Sequence, residues 1–290
     1  MKKRILFIVN PKSGTTKKEN MEFSIARWVD KQQFEPDVYY TQYAGHATEI
    51  AFQNRHRFEV IVAVGGDGTV NEVAKGLTGS DTALYIVPTG SGNGLARHLG
   101  IPMGIIPSLR RLNQAEELVI DSCKVNDTPF FCTSGMGYDA LVAHEFSLQK
   151  TRGLWTYMMT SFKCFFTYKP EWYELEIDGK KQERQSHLIT LANAGQYGNN
   201  AYIAPQAEIN DGRFDVCIVN PIRSPLQGMF FSLRLFTYSL HRSRKVEIIR
   251  AENVKIRRKA ANWLHVDGEP VGMPADLDYQ IFPKNLKVLR

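Results

Sequence analysis

The sequence predicts an α/β domain followed by an antiparallel β domain with helical insertions. Three observations carry that prediction. Short apolar, β-branched runs alternate with helical patterns as far as Pro102, which is the order of an open sheet with parallel strands. Three of those early runs end in loops of small and polar residues. From about Leu118 onward the alternation gives way to short strands separated by Asp-Gly turns. The boundary is accordingly placed with residues 1–122 in the first domain and 123–280 in the second.

Ile5–Val9 is a first buried strand, too short for a signal peptide despite the Lys2-Lys3-Arg4 before it, and it stops at Asn10-Pro11-Lys12-Ser13-Gly14. A helix with Phe23, Ala26 and Trp28 follows, then a strand through Val38–Tyr40 ending at Thr41. Gly45-His46-Ala47-Thr48-Glu49 opens the next helix, with His46 read as a surface or capping residue.

Val60–Val64 is the central strand, and it runs into Gly65-Gly66-Asp67-Gly68-Thr69 before a helix carrying Val70, Val73, Ala74 and Leu77. A strand that breaks at glycines and feeds a helix presents backbone N–H groups to an anion, and the helix adds roughly half a positive charge there. Phosphate is the expected guest. Asp67 among those amides would repel it unless a divalent cation, or a water bound to one, lies between; Asn71 and Glu72 stand in the first helical turn, where they can support that arrangement. Ala83–Val87 then runs into Pro88-Thr89-Gly90-Ser91-Gly92-Asn93-Gly94, a third permissive loop, before Leu95, Ala96 and Leu99. Ligands of open α/β sheets gather at the carboxyl ends of strands, so the loops are expected to share one rim. Neither GxxxxGK[ST] nor GxGxxG occurs, which excludes a P-loop and a dinucleotide fingerprint.

In the second domain strands are expected at Leu118–Val125, Phe130–Ser134, Trp172–Ile177, His187–Ala192, Phe214–Val219, Val246–Ile249, Val254–Ile256 and Trp263–Val266, with turns at Asp178-Gly179, Asp211-Gly212 and Asp267-Gly268. Helices are expected over Gly153–Tyr168 and Leu226–Tyr238. Both are apolar nearly all round, as helices packed into or over a sheet would be, or as a wall for a lipid chain.

At 290 residues and 43% hydrophobic the chain can bury a substantial core, and its +6 charge fits either an anionic partner or a solvated basic face. Cys123, Cys132, Cys164 and Cys217 show no CxxC pairing and read as reduced core residues, which favours the cytoplasm. No apolar run is long enough to span a bilayer, so the expectation is a soluble or peripheral protein.

In order and spacing, Asn10-Pro11-x-Ser13-Gly14, Gly65-Gly66-Asp67-Gly68-Thr69-x-Asn71-Glu72-Val73, Pro88-x-Gly90-Ser91-x-Asn93-x-Leu95-Ala96, Ala204-Pro205-x-Ala207-x-x-x-Asp211-Gly212-x-Phe214-Asp215-Val216 and Asp267-Gly268-Glu269-Pro270 resemble the diacylglycerol kinase catalytic-domain family. That family includes bacterial soluble lipid kinases, sphingosine kinases and ceramide kinases. The resemblance implies a three-layer α/β domain like those of phosphofructokinases and NAD kinases, a C-terminal β-sandwich, and ATP and magnesium as cofactors. In bacterial members the final strand can return to the first domain, which would place 281–290 there. Carried over by motif, Gly65, Gly66, Asp67, Gly68, Thr69, Asn71 and Glu72, with Asn10, Thr41, Ser91 and Asn93, fall where the family holds ATP. Asp211 falls where the carboxylate ligand of a structural magnesium stands, with Glu208 and Arg213 contributing carbonyl oxygens, and Asp267 or Glu269 where the general base does. Ser91 and Gly94 depart from the Thr and Asp of many bacterial members, which leaves the lipid unassigned.

The expected activity is therefore transfer of the γ-phosphate of ATP to a hydroxyl of a diacylglycerol, phosphatidylglycerol or sphingoid lipid, with Asp67 organising magnesium and Glu269 or Asp267 taking the proton. The expected partner is a lipid at a membrane surface, the inner one; Arg242, Arg244, Lys245, Lys255, Arg257, Arg258 and Lys259 can form a basic face toward it, or for most of them simply a solvated face. No nucleic-acid motif accompanies the charge, and the sequence leaves a homodimer open. The rival readings are an NAD kinase, which shares the Gly-Gly-Asp-Gly-Thr turn, and a non-catalytic lipid or nucleotide sensor of the same fold.

Overall fold

The computed structural model describes residues 2–13, 21–149, 151 and 153–290. Gly14, the last residue of the first loop, lies outside them. In chain order the elements are β1 (Lys3–Val9), α1 (Met21–Trp28), β2 (Phe34–Tyr40), α2 (His46–Asn54), β3 (Val60–Gly65), α3 (Asp67–Leu77), β4 (Ala83–Pro88), α4 (Gly94–His98), α5 (Ile105–Leu112), β5 (Glu117–Val125), β6 (Thr128–Phe130), β7 (Thr133–Gly137), α6 (Tyr138–Ser147), α7 (Leu154–Thr167), β8 (Glu171–Ile177), β9 (Lys180–Ser186), β10 (Leu188–Ala192), β11 (Phe214–Val219), α8 (Pro225–Phe236), β12 (Val246–Ala251), β13 (Asn253–Arg258), β14 (Asn262–Val266), β15 (Glu269–Met273) and β16 (Asp276–Leu289). The chain divides into two compact units, Met1–Ser122 with Pro283–Arg290, and Cys123–Phe282.

The first unit is a parallel sheet in the order β2-β1-β3-β4, with the end of β16 beside β4. All six residues of β3 and of β4 are buried, because helices cover both faces, and the strands therefore read as continuous apolar runs. Helix α2 lies against α3, and α1 against α5. The chain turns to opposite sides of β1 when it makes β2 and β3, and right-handed crossovers then send α1 and α2 to opposite faces. The register fixes the rim: Val9 pairs with Tyr40 on one side and with Val64 on the other, and Val64 pairs with Val87. All four parallel strands thus end at one level.

The second unit holds two antiparallel sheets. One runs β12-β11-β10-β7-β14-β15, and the other joins the first part of β16 to β13, β8 and β9. Tyr173, Leu175, Val254, Ile256 and Tyr279 from one sheet meet Met136, Ile189, Leu191, Phe214, Val216 and Leu264 from the other in a shared core, which makes a β-sandwich. Leu188, Ala192, Cys217 and Val219 point the other way, into a second core with Phe165 of α7 and Phe231 and Leu235 of α8. That is why β10 and β11 are buried at every position rather than at alternate ones. The four cysteines are free and buried.

Several expectations are corrected. Phe130–Ser134 is not one strand but two, parted at Phe131-Cys132. β9, β15 and α6 are additional elements. The two apolar helices lie over a sheet as expected, yet α8 has no buried residue and α7 buries Thr160 and Cys164 while leaving Trp155 and Phe166 exposed. Arg258 is not a surface cation: only 4% exposed, it donates to the carbonyls of Asn262, Trp263, Met273 and Pro274. Arg257 is paired with Asp276 at 2.6 Å, and Lys255 shares its outer sheet face with Glu174, Glu176 and Asp278.

Candidate functional site

Two constellations stand out, one in each unit. In the first, the loops after β1, β3 and β4 are stitched together by their own polar side chains. Asn10 follows β1; its side-chain amide donates to Thr69 Oγ1 at 3.1 Å, and its Oδ1 receives the Lys12 N–H at 3.0 Å. This bond bridges β1 and β3, the neighbours between which the strand order reverses and where open α/β sheets bind ligands. Asp67 is the first residue of α3, and its carboxylate accepts the N–H groups of Asn93 at 2.8 Å and Gly94 at 2.7 Å. The acid after one strand therefore caps the helix that follows the next. Asn93, held at φ +53, clamps Gly90 from both sides, accepting its N–H at 3.1 Å and donating to its carbonyl at 2.7 Å.

The loops also touch through bare backbone. A Cβ built on Gly90 would stand 2.7 Å from the Gly66 Cα, so no side chain fits between the two turns. Glu72, one turn into α3, accepts the N–H groups of Gly45 at 2.9 Å and Ala47 at 3.1 Å and so caps α2, drawing the loop after Thr41 against the same helix. His46 accepts the Gln42 N–H through Nδ1 and stacks on Tyr43, a loop-ordering role. Along this rim Thr41 and Thr69 are buried, Gly65 is buried in β3, Gly66, Asp67, Gly68 and Asn71 are half-buried, and Ser91 and Lys12 are exposed. Thr89 adds a residue that sequence reasoning passed over: its hydroxyl is buried and has no partner among the described residues. The first turn of α3, an exposed cation at Lys12 and an exposed hydroxyl at Ser91 together form an anion-receptive edge.

In the second unit, β14 and β15 are joined by Asp267-Gly268, both at positive φ (+49 and +87), as a two-residue I′ hairpin demands. The Asp267 carboxylate accepts three backbone N–H groups, from Phe131 at 3.0 Å, Cys132 at 2.8 Å and Thr133 at 3.0 Å. Its charge fixes the turn to the start of β7 and leaves Glu269, the next residue and exposed, as the carboxylate that the turn presents. Beneath lies a network that no spacing in the sequence announces. Asp139 Oδ2 meets Thr190 Oγ1 at 2.8 Å, Tyr197 Oη at 3.1 Å and His265 Nε2 at 3.1 Å, while Oδ1 receives the Ala140 N–H. Burial, and then the Asp139 charge, push the Tyr197 hydroxyl well above its usual pKa, so it stays a donor.

The expected metal set lies apart on the loop before β11. Asp211 accepts the Arg213 N–H at 3.0 Å and is paired with Arg250; Glu208 and Arg213 are exposed. Neighbouring Asp215 is buried, and its pKa rises to about 6 because of burial, against the pull of Arg250 and with the push of Asp211 and Glu208. Among the described residues no group of three or more His, Cys, Asp or Glu side chains could hold a metal. A cation here would have to combine Asp211 with backbone carbonyls, and it would relieve the crowding of like charge that Asp215 registers.

The comparisons agree with one another. The profile described as "Diacylglycerol kinase catalytic domain" matches residues 4–125, and that described as "YegS C-terminal NAD kinase beta sandwich-like domain" matches 133–290. A diacylglycerol kinase of Bacillus subtilis is 29% identical over 283 residues, covering 93% of this chain and 91% of its own length. One from Staphylococcus aureus is 28% identical, covering 95% and 89%. A solved structure of a diacylglycerol kinase from Bacillus anthracis superposes with a TM-score of 0.74 at 19% identity, covering 99% of this chain and 96% of its own, which shows a shared fold. The chain belongs to the diacylglycerol kinase catalytic-domain family, with the YegS type of C-terminal domain.

Proposed function

We propose that this protein transfers the γ-phosphoryl group of ATP to a hydroxyl of a lipid. The observation that carries the reading is the stitched rim of the first unit, where Asn10, Asp67, Glu72 and Asn93 hold the loops after β1, β2, β3 and β4 in fixed relation. Phosphoryl transfer needs little covalent help from a protein; it needs the phosphates held in line and their charge offset. The first-turn amides of α3 with Gly66, Gly68 and Thr69 suit the phosphates, and Lys12, Thr41, Ser91, Thr89 and Asn71 supply further charge and donors from the same rim. Glu269 is the proposed base: the lipid oxygen attacks the γ-phosphorus, the bond to the β-phosphate oxygen breaks, ADP leaves, and the hydroxyl proton passes to the Glu269 carboxylate. Asp267 positions that carboxylate.

Magnesium bound with ATP would offset phosphate charge, with Asp67, whose carboxylate also caps α4, as the proposed acid of the rim. A second, structural magnesium fits the Asp211 carboxylate with the Glu208 and Arg213 carbonyls. Diacylglycerol is the first acceptor to test, since it gives the relatives their name. A nucleotide acceptor, as in an NAD kinase, would leave the outward apolar residues of α7 and α8 without use. A lipid acceptor places the working protein at the cytoplasmic membrane surface.

The test is incubation with γ-labelled ATP, magnesium and micelles of diacylglycerol, phosphatidylglycerol, a sphingoid base or ceramide, followed by separation of labelled products. A labelled lipid from any of these is the expected result. ATP binding without a labelled lipid in any micelle would overturn the assignment.

A further inference from the structure

Glu269 opens β15, the edge strand of the six-stranded sheet, which pairs with β14. Of its five residues only Met273 is buried. A strand with so few buried contacts belongs to the low-stability end of a fold, so its first residue keeps one position only if something besides the ladder holds it. Asp267 secures the β14 side of the turn, but Glu269 lies beyond Gly268 on the other strand. The open end of the hairpin is held by one side chain. Arg258, the last residue of β13, sends Nη1 to the Trp263 carbonyl at 3.0 Å and Nη2 to those of Asn262 at 3.2 Å, Met273 at 2.9 Å and Pro274 at 2.7 Å, while its backbone N–H meets the Ala275 carbonyl at 2.9 Å. Asn262 and Met273 are cross-strand partners, so the guanidinium closes the ladder where the two strands part.

The choice of residue matters. A cation held out of water is costly, and a residue whose task was only to fill space would be apolar. A planar fork with donors in fixed directions can reach both strands at once, whereas an ammonium offers its three donors from a single point. Burial lowers the pKa of this guanidinium, and Tyr279, Tyr173 and Glu171 act in the other direction. From Met273 to Glu269 the strand runs about 13 Å, at roughly 3.3 Å per residue. A change of twist at the foot is carried along that length to the carboxylate, and a displacement on the order of 1 Å can cost a reacting group about 10²-fold.

We infer that Arg258 is a positioning residue: by binding carbonyls of both strands it fixes the twist of the β14–β15 hairpin and with it the place of the Glu269 carboxylate. The inference rests on the lipid-kinase reading for its effect on turnover, but the clamp can be read without substrate. The test is a double-mutant cycle in the full chain, with Arg258→Lys, Glu269→Gln and the two combined, followed by turnover, the KM for ATP, melting curves and amide hydrogen exchange. Lysine keeps the charge and loses the fork. Arg258→Lys should lower kcat by about tenfold or more with the KM for ATP held within about twofold, yet change the Glu269→Gln protein by less than about threefold, because no base is left to misplace. Exchange at the β15 amides should quicken by about tenfold or more while that at β10 stays as it was. Ile256→Val, a core truncation on the same strand as Arg258, should lower the melting temperature and leave turnover alone, which separates position from stability. Equal losses in both backgrounds, or unchanged exchange in β15, would overturn the inference. Where Arg258→Lys does not fold, Arg258→Gln, which buries no charge, takes its place; a chain that folds with neither makes Arg258 a requirement of folding and ends the positioning role. Should the parent label no lipid, the kinase reading fails, and quickened exchange confined to β15 still establishes the clamp.

Discussion

The Asp67 carboxylate receives the Gly94 N–H at 2.7 Å, so an acid that opens one helix closes the orphan end of another 27 residues along the chain. Asp67→Ala should remove that cap and the matching bond from Asn93, lowering stability by about 1–2 kcal/mol, within the usual range for a lost N-cap. Asp67→Asn should lose less. Thermal melts of nucleotide-free protein without magnesium check this, because a role confined to metal binding would leave those melts unchanged.

Gly66 and Gly90 leave no room for a methyl group. In Gly90→Ala the new Cβ would meet the Gly66 Cα at 2.7 Å, and only backbone movement can relieve it. The expected outcome is at least tenfold weaker ATP binding, read by titration, with a stability loss of about 1–3 kcal/mol as in other overpacked sites.

Glu269 and Asp267 should separate cleanly. Glu269→Gln keeps an exposed side chain of the same shape, so melting temperature and ATP affinity should hold while turnover falls by ~10²–10⁴-fold. Asp267→Ala strands three backbone N–H groups at Phe131, Cys132 and Thr133, and should lower melting temperature and turnover together. Single-turnover kinetics beside melting curves would check both.

His187 gives the sandwich a sensitivity to acid. It is 2% exposed among the rings of Tyr138, Phe165 and Tyr168, and burial lowers its pKa to about 4, with Asp139 pulling weakly the other way. The folded state binds this proton less readily than the unfolded one, so the contribution is complete above an unfolded pKa of about 6.5 and is lost as pH falls toward 4. By the usual conversion that is up to about 3 kcal/mol. His98 on α4 is lowered in the same direction, by burial and then by Arg290. Melting temperature should therefore drop between pH 7 and pH 5, and His187→Phe should flatten the slope.

Strands β1, β3 and β4 were legible because they are buried on both faces and read as unbroken apolar runs, whereas the edge strand β2, with Glu35, Pro36 and Asp37, showed only its last residues; the aligned ends follow from the register. What escaped depends on partners distant in sequence. β9 reads Lys-Lys-Gln-Glu-Arg-Gln-Ser, with no apolar signal; it becomes a strand because the Asp178-Gly179 turn folds it onto β8. The break at Phe131-Cys132 exists because Asp267 takes the amides that a strand partner would have taken. The Asp139 network draws on Thr190, Tyr197 and His265, which sit on separate segments. Helices apolar all round carry no facing information, so that α7 turns Phe165 and Cys164 inward and Trp155, Phe162 and Phe166 outward could be seen only once its contacts were known. In the loops at the rim of the first unit, by contrast, the residues were named from sequence, and what the structure adds is that several of their side chains bind one another.

The tail of β16 gives the first unit an unusual birth. Leu286 and Val288 are fully buried, Val288 beside Leu84, and the Asn285 carbonyl takes the Gly79 N–H at 2.8 Å. A ribosome that has translated every loop residue of the rim has still not supplied the strand that covers the flank of β4. Until Pro283–Arg290 emerge, the nascent chain must carry that flank bare through synthesis of the whole sandwich, so a stop codon placed just before Pro283 should yield aggregates or degraded protein rather than a folded, shortened chain.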